Sequence, residues 1–375
     1  MKFKADLKDI VDVVNKINKV LNPKDEIGKT FLIGADEDKQ KILISATNSD
    51  GLIAYAYVSA EVIKEGEAII EGKLLYNLVR KLPKKSPELL FYTTGKRKSD
   101  KSLKLKVSKK IYEFDVFDID FPTPKTRFQW SFDVDMIDFK LLLESAGWLF
   151  GSKMEENTAC EGVSFEFKDN TFEVISTDLV KAAFCKVEYD DIEFDKTKIV
   201  IPSKVIKLIS EQLKNYEEVE IFISDEFIKI KLDNINFISV LIPDKYPDPR
   251  KLYNPKKKGH SALFDRLELK KSLDRLILFT DKIRQLVTWD LKLDKPIILT
   301  SNNITNKKRS VEELEEYWGG KPLFIGLNCE KLLQICKKSK SKELRLTFRQ
   351  PEDAVVVQEP DNDNTFYLLT SLRVD

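Results

Sequence analysis

A single histidine, His260, is the chain's whole supply of imidazole, and it sits in the basic stretch Pro255-Lys-Lys-Lys-Gly-His260, which reads as a linker. One imidazole excludes histidine-based triads and multi-histidine metal sites. Asp118 and Asp120 have the spacing that lets two carboxylates share a divalent cation. They stand just before Phe121-Pro122, however, and proline ends strands, so the pattern reads as a loop. The cysteines, Cys160, Cys185, Cys329 and Cys336, form no CxxC pair, which points to reduced core thiols and against zinc or a disulfide framework. No GxGxxG, GxxxxGK[ST] or GxSxG occurs, so the phosphate-cradling loops and the nucleophile elbow are absent. The chain therefore reads as a non-enzyme, with no cofactor or metal expected.

What the sequence does hold in quantity is lysine. Lys+Arg of 63 against Asp+Glu of 62 leaves a net charge of +1, so any nucleic-acid role depends on where the charges sit. In a helical stretch after Ala68, Leu74, Leu75, Leu78, Val79 and Leu82 form an apolar face while Lys73, Asn77, Arg80 and Lys84 fall on another. A second helix turns Val205, Ile206, Ile209 and Leu213 inward and leaves Lys204, Lys207, Glu211 and Lys214 outside. Lys331 and Lys338 share a stripe on a third, and Lys8, Asp12, Asn15 and Lys19, then Lys271, Arg275 and Lys282, mark two more. On any one helix this is also what a solvated face looks like. Recurring on nearly every helix, it points to a shared surface for phosphates, and lysines on mobile stems with few aromatics suit backbone contact without base readout. Lys96–Lys110 alternates as a charged hairpin whose lysines also discourage stray strand pairing.

The elements that position these residues are repeated. Strand, tight corner and amphipathic helix recur as AIIEGKLLYNLVRKL from Ala68, KIVIPSKVIKLISEQL from Lys198 and LFIGLNCEKLLQICK from Leu323. The steps are about 130 and about 125 residues, which is the size of a domain and far beyond solenoid periods. Each copy precedes a β-rich run, at Glu88–Thr93, Val219–Ser224 and Glu343–Phe348, and follows another helical pattern, at Ala5–Leu21, Asp135–Phe150 and Leu267–Lys282. The first two copies close on Asp118–Pro124 and Pro243–Pro249, and Ile44-Ser-Ala-Thr47 echoes Val174-Ile-Ser-Thr177. The 375 residues thus divide into three domains, 1–125, 126–253 and 254–375, each large enough for its own core. No apolar stretch reaches the length of a membrane helix and the N-terminus has no signal-peptide core, so a cytoplasmic protein is expected.

Three tandem strand-and-helix repeats, the Phe-Pro and Tyr-Pro domain ends, and the segment Tyr317-Trp-Gly-Gly-Lys-Pro-Leu-Phe-Ile-Gly-Leu-Asn328 together resemble the bacterial DNA polymerase III β subunit, the sliding clamp family. That family closes on Tyr-apolar-apolar-Met-Pro-Met-Arg-Leu, and this chain ends Tyr367-Leu-Leu-Thr-Ser-Leu-Arg-Val-Asp375. The resemblance implies an α+β fold of three clamp-type domains, with sheets outside and helices lining a channel, and a head-to-tail homodimer forming a six-domain ring. It implies double-stranded DNA bound without sequence preference, a tethered DNA polymerase and a clamp loader as partners.

Matched residue by residue, the resemblance assigns Lys29, Lys73, Arg80, Lys153 and Lys204 to the DNA side, with Lys207 on the helix face of Lys204. It places Tyr112 and Phe114 against Ile277 and Leu278 of the neighbouring subunit, although such side chains serve a core equally well. Partner peptides would insert between the second and third domains against Thr177, Leu179, Ala182, Pro247, Leu252, Leu368, Thr370 and Arg373. There the chain departs from the family: its Thr-Asp-Gly-x-Arg-Leu becomes Thr177-Asp-Leu-Val-Lys-Ala182, and Met-Pro-Met becomes Thr-Ser-Leu. An altered peptide preference follows. A monomeric repeat-built scaffold or DNA-binding protein that never closes is the alternative, and a Mg²⁺-dependent nucleic-acid enzyme using Asp118 and Asp120 is a more distant one.

Overall fold

The computed structural model describes residues 1–83, 88–95, 101–123, 127–151, 158–190, 192–252, 258–303 and 307–374. The first repeat runs β1 (Lys2–Asp6), α1 (Leu7–Ile17), β2 (Thr30–Asp36), β3 (Lys41–Thr47), β4 (Leu52–Ser59), β5 (Glu61–Lys64) and β6 (Gly66–Glu71). It continues with α2 (Gly72–Lys81), β7 (Glu88–Thr94), β8 (Ser102–Val107) and β9 (Lys110–Asp115). The second runs β10 (Trp130–Val134), α3 (Met136–Ser145), β11 (Gly162–Asp169), β12 (Thr171–Thr177), β13 (Lys181–Glu188) and β14 (Phe194–Pro202). Then come α4 (Ser203–Ser210), β15 (Val219–Ile223), β16 (Phe227–Leu232) and β17 (Ile235–Val240). The third runs β18 (His260–Asp265), α5 (Arg266–Leu276), β19 (Leu286–Leu291), β20 (Lys295–Asn303), β21 (Lys308–Trp318) and β22 (Leu323–Asn328). It closes with α6 (Cys329–Lys338), β23 (Glu343–Phe348), β24 (Val355–Glu359), β25 (Asn362–Leu369) and the short β26 (Ser371–Leu372). Apart from β5 and β26, the order β-α-β-β-β-β-α-β-β-β is written three times, as the sequence repeat requires.

The strands assemble by a rule that ties one repeat to the next. An unpaired sheet edge is a row of unsatisfied backbone groups, and here the third strand after the first helix of one repeat pairs with the last strand of the following repeat. Thus β4 pairs antiparallel with β17, with Ile53 opposite Ile238. In the same way β13 pairs with β25, with Ala182 opposite Leu368. The results are two eight-stranded sheets, β10-β15-β16-β17-β4-β3-β2-β6 and β14-β11-β12-β13-β25-β24-β23-β18. The half-sheets left over are five-stranded, β5-β1-β7-β8-β9 and β21-β20-β19-β22-β26. Because strand pairing crosses the repeat boundaries, the chain divides into two compact units, Met1–Phe139 with Glu211–Leu241 and Lys140–Ser210 with Ile242–Asp375.

Helices form where a capped start meets an apolar face. Asp6, Asp265 and Asn328 accept backbone N–H bonds at the first turns of α1, α5 and α6. Helix α1 turns Leu7, Ile10, Val13, Val14 and Ile17 inward onto β3, β4 and β17. Each such side chain contributes about 1.5–3 kcal/mol by leaving water. Two expectations are corrected here. Leu74 is 46% exposed and only Leu75 and Val79 of the α2 pattern are buried on the helix itself, with Leu82 beyond its end. His260 is no linker residue: it opens β18 opposite Phe348, its ring 6.1 Å from that of Trp318.

Candidate nucleic-acid and partner-binding surfaces

On α2, Lys73 and Arg80 are exposed, and Arg80 Nη1 donates to the Tyr76 hydroxyl at 2.6 Å while its guanidinium lies 4.9 Å from that ring. Lys29 sits where the chain meets the start of α2: its carbonyl accepts from Gly72 N–H, and its ammonium lies 5.4 Å from the Phe117 ring. In the other unit α4 exposes Lys204 and Lys207 and buries Val205, Ile206 and Ile209. Lys153 lies outside the described residues. Lys331 is a correction, because it leaves the expected basic stripe: its ammonium reaches Asp178 Oδ2 at 2.6 Å. The cations of α5 are also engaged, Arg275 by Glu312, Lys271 by Glu268 and Lys270 by Asp274. Lysines and arginines exposed on the helices remain on α2 at Lys73 and Arg80, on α4 at Lys204 and Lys207, and on α6 at Lys337 and Lys338.

The eight residues expected at the partner site separate by burial. Thr177, Ala182 and Leu368 are buried. Ala182 and Leu368 belong to one buried cluster with Ile175, Phe184, Val200, Tyr246 and Val356, against which Ile242 and Phe366 pack. Phe184 and Phe366 stack at 4.3 Å. Leu179 and Leu252 are exposed apolar residues, while Pro247 and Thr370 are partly buried. Thr370 donates through both N–H and Oγ1 to the Val180 carbonyl, at 2.9 Å each. Arg373 is exposed past β26, and its carbonyl accepts from Arg284 Nη2.

The turn that carries Leu179 is held from three directions. Thr177 Oγ1 donates to Lys181 O at 2.8 Å, and Asp178 Oδ1 accepts from the Val180 and Lys181 N–H groups. Asp178 Oδ2 accepts from Lys181 Nζ at 3.0 Å and from Lys331 Nζ on α6. The Lys181 ammonium also lies 5.3 Å from the Trp148 ring. Burial pushes the Asp178 carboxyl up, but the Lys331 hydrogen bond and the Lys181 charge outweigh it and hold it below the usual aspartate value. Within this frame Leu179 adopts φ +69°, the left-handed region that L side chains avoid.

Sequence reasoning missed Tyr246, which the structure makes central: its hydroxyl accepts from Thr177 N–H at 2.9 Å and faces the Gly162 carbonyl at 3.4 Å. In the sequence it reads only as part of a domain end. It also missed Arg250, whose guanidinium holds Asp248, Glu166 and Glu173 at 2.8, 2.7 and 3.1 Å and so fixes the Pro249–Leu252 turn beside β11 and β12. At the expected dimer contact, Leu278 is 71% exposed and Ile277 and Tyr112 are partly so. Phe114, at 2%, is corrected to a core residue of its own chain, and the exposed apolar residue of β9 is Ile111. Among the described residues no group of three or more histidine, cysteine or acidic side chains could hold a metal ion, and no helix is long and apolar enough to cross a membrane.

Three tandem α+β repeats, cross-paired through their sheets and carrying basic helices, define a protein of the DNA clamp class. Family models match consecutively: the DNA polymerase III β subunit central domain over residues 151–248 and its C-terminal domain over 253–373. A Rickettsia felis protein named β sliding clamp is 23% identical over 391 residues, covering all of both chains, and one from Halalkalibacterium halodurans is also 23% identical over the full length of both. The crystal structure of DNA polymerase III subunit β from Pseudomonas aeruginosa superposes with TM-score 0.89 at 18% identity, covering all of both chains. A DNA polymerase sliding clamp from Caulobacter crescentus gives 0.88 at 19% with the same coverage. The chain belongs to the DNA polymerase III β subunit family.

Proposed function

We propose that the chain is a DNA sliding clamp, a non-enzymatic processivity factor that closes as a head-to-tail homodimer around duplex DNA and tethers a DNA polymerase. The observation that carries this reading is the pairing rule of the sheets. At both internal junctions the third strand after a repeat's first helix takes the last strand of the next repeat. Applied once more, the rule leaves two strands unpartnered at the ends of their sheets, β21 of the third repeat and β9 of the first. Pairing β21 of one copy with β9 of the next completes a third kind of eight-stranded sheet, and two copies close a ring of six repeats. Both edges carry charge of both signs: Lys308, Arg309, Glu312, Glu313, Glu315 and Glu316 on β21, and Lys110, Glu113 and Asp115 on β9, with Lys109 in the turn before it. The 1–125, 126–253 and 254–375 division then counts the ring's repeats.

In this ring Lys29, Lys73, Arg80, Lys204 and Lys207 attract phosphates without fixing a register, so retention comes from topology and sliding stays free. A partner segment seats on the Ala182–Leu368 floor between the rims of Leu179 and Leu252, in the manner of an apolar anchor with a polar surround. A clamp loader opens one β9–β21 seam, in the cytoplasm where replication proteins work. The test is retention on nicked circular DNA after loading, followed by linearisation with a restriction enzyme. Release on cutting is expected. Equal retention on linear and circular DNA would replace the ring with a monomeric DNA-binding scaffold.

A further inference from the structure

The turn and strand pair that build the partner site occur twice in this chain. At the second–third junction Thr177 Oγ1 donates to Lys181 O, Asp178 Oδ1 accepts two N–H groups of the turn, and Ala182 faces Leu368. At the first–second junction Thr47 Oγ1 donates to Leu52 O at 3.1 Å, Asn48 Oδ1 accepts from Asp50 and Leu52 N–H, and Ile53 faces Ile238. Each turn also bends through the left-handed region, at Leu179 (φ +69°) and at Gly51 (φ +78°). Over the first junction lies a second apolar cluster, Ile53, Tyr55 and Ile238, against which Leu43, Phe128 and Phe227 pack. Tyr57 stands beside it 51% exposed, its ring edge-on to Tyr55 at 5.9 Å, and Val240 is exposed too.

At the centre of this patch stands Lys229. Lys229 Nζ lies 3.2 Å from the Phe222 ring centroid and 5.1 Å from that of Phe128, held by aromatic faces. Its neighbour Glu220 is taken by Lys231 at 2.9 Å. Burial lowers the Lys229 pKa. An ammonium with its shell of water thinned and rings on its flank is a receptor for an incoming carboxylate.

We propose that this face of the first–second junction is a second docking surface of the clamp, taking a short acidic segment of a partner protein whose aliphatic or aromatic side chains cover Tyr55, Tyr57 and Val240 and whose carboxylate meets Lys229. The inference rests on reading the second–third junction as a partner site. The test selects random dodecapeptides displayed on phage against the full-length protein carrying Leu252→Asp, which blocks the first site. Peptides enriched in Asp or Glu next to Leu, Phe or Trp are expected, with synthetic copies weakened at least tenfold by Lys229→Gln and by Tyr57→Ala on a dimer of unchanged solution mass. Absence of any enriched peptide, or enriched peptides indifferent to both substitutions, would overturn the proposal. Selection on the unsubstituted protein tests the other reading separately: peptides lost only with Leu252→Asp would uphold the second–third site and remove the new one.

Discussion

Leu179 stands where the Thr-Asp-Gly-x-Arg-Leu pattern has glycine, and the backbone there shows what that costs. The residue keeps φ +69° with a branched side chain 43% exposed, although a left-handed L residue costs roughly 1–2 kcal/mol. A strained, exposed leucine gains little from its own fold, which supports the proposal that its side chain meets a partner. Leu179→Gly is expected to stabilise the protein by about 1 kcal/mol in urea melts while weakening partner-peptide binding; unchanged binding would make the leucine incidental. Asp178 beneath it works oppositely. Its side chain and that of Lys181 are almost wholly buried, so Asp178→Asn strands an ammonium and is expected to cost about 3 kcal/mol. The folded-state carboxyl titrates below the unfolded one, so its contribution is complete above about pH 5, and is lost as pH falls through the lowered value. The gap between wild type and Asp178→Asn, measured by urea unfolding, should hold from neutrality to pH 5 and close in acid. Lys181, its pKa lowered by burial, shifts stability only toward alkaline pH and leaves that window clear.

At the scale of elements, the basic helices make a prediction that does not depend on knowing the DNA path. Lys73 and Arg80 are both exposed on α2, and each phosphate contact adds about 0.9 to the slope of log K against log salt. Lys73→Ala with Arg80→Ala should lower that slope by about 2 across all duplex sequences alike; a loss confined to one sequence would argue for base contact. Helix α2 is legible because its apolar spacing and its basic last turn agree locally, and the sequence bounds of β23 match the strand residue for residue. What could not be read locally was pairing. Lys331 has the position and type of a stripe lysine, but its partner Asp178 is 153 residues away. His260 follows lysines and a glycine, yet a strand forms because Phe348 and its neighbours supply the ladder. Leu74 and Leu75 are equally apolar, and only the packed sheet decides which is covered. Tyr246 escaped for the same reason, since its proline neighbours announce a boundary while its hydroxyl closes a turn from another strand.

For the whole molecule, the three-fold repeat fixes what an isolated chain must leave undone. Each internal junction pairs two strands across repeats, and in the ring proposed above β21 and β9 of the terminal half-sheets are the edges that another copy pairs. Glu313 and Glu315 are exposed on β21, and Lys109 and Lys110 are exposed at the hairpin ending in β9. In the proposed ring, Glu313→Lys with Glu315→Lys adds lysines to a seam that already holds Lys109 and Lys110. Light scattering should then show the mass falling toward one 43.4 kDa chain at concentrations where wild type stays paired, a weakening of about 100-fold. Adding Lys109→Glu and Lys110→Glu to the same chain reverses the sign on both sides of each seam and should restore the dimer. Restoration would separate a seam contact from simple unfolding, because destabilised chains do not regain partners by a second pair of charge changes. A dimer insensitive to both steps would move the seam away from β9 and β21, and with it the ring that the sheet-pairing rule predicts.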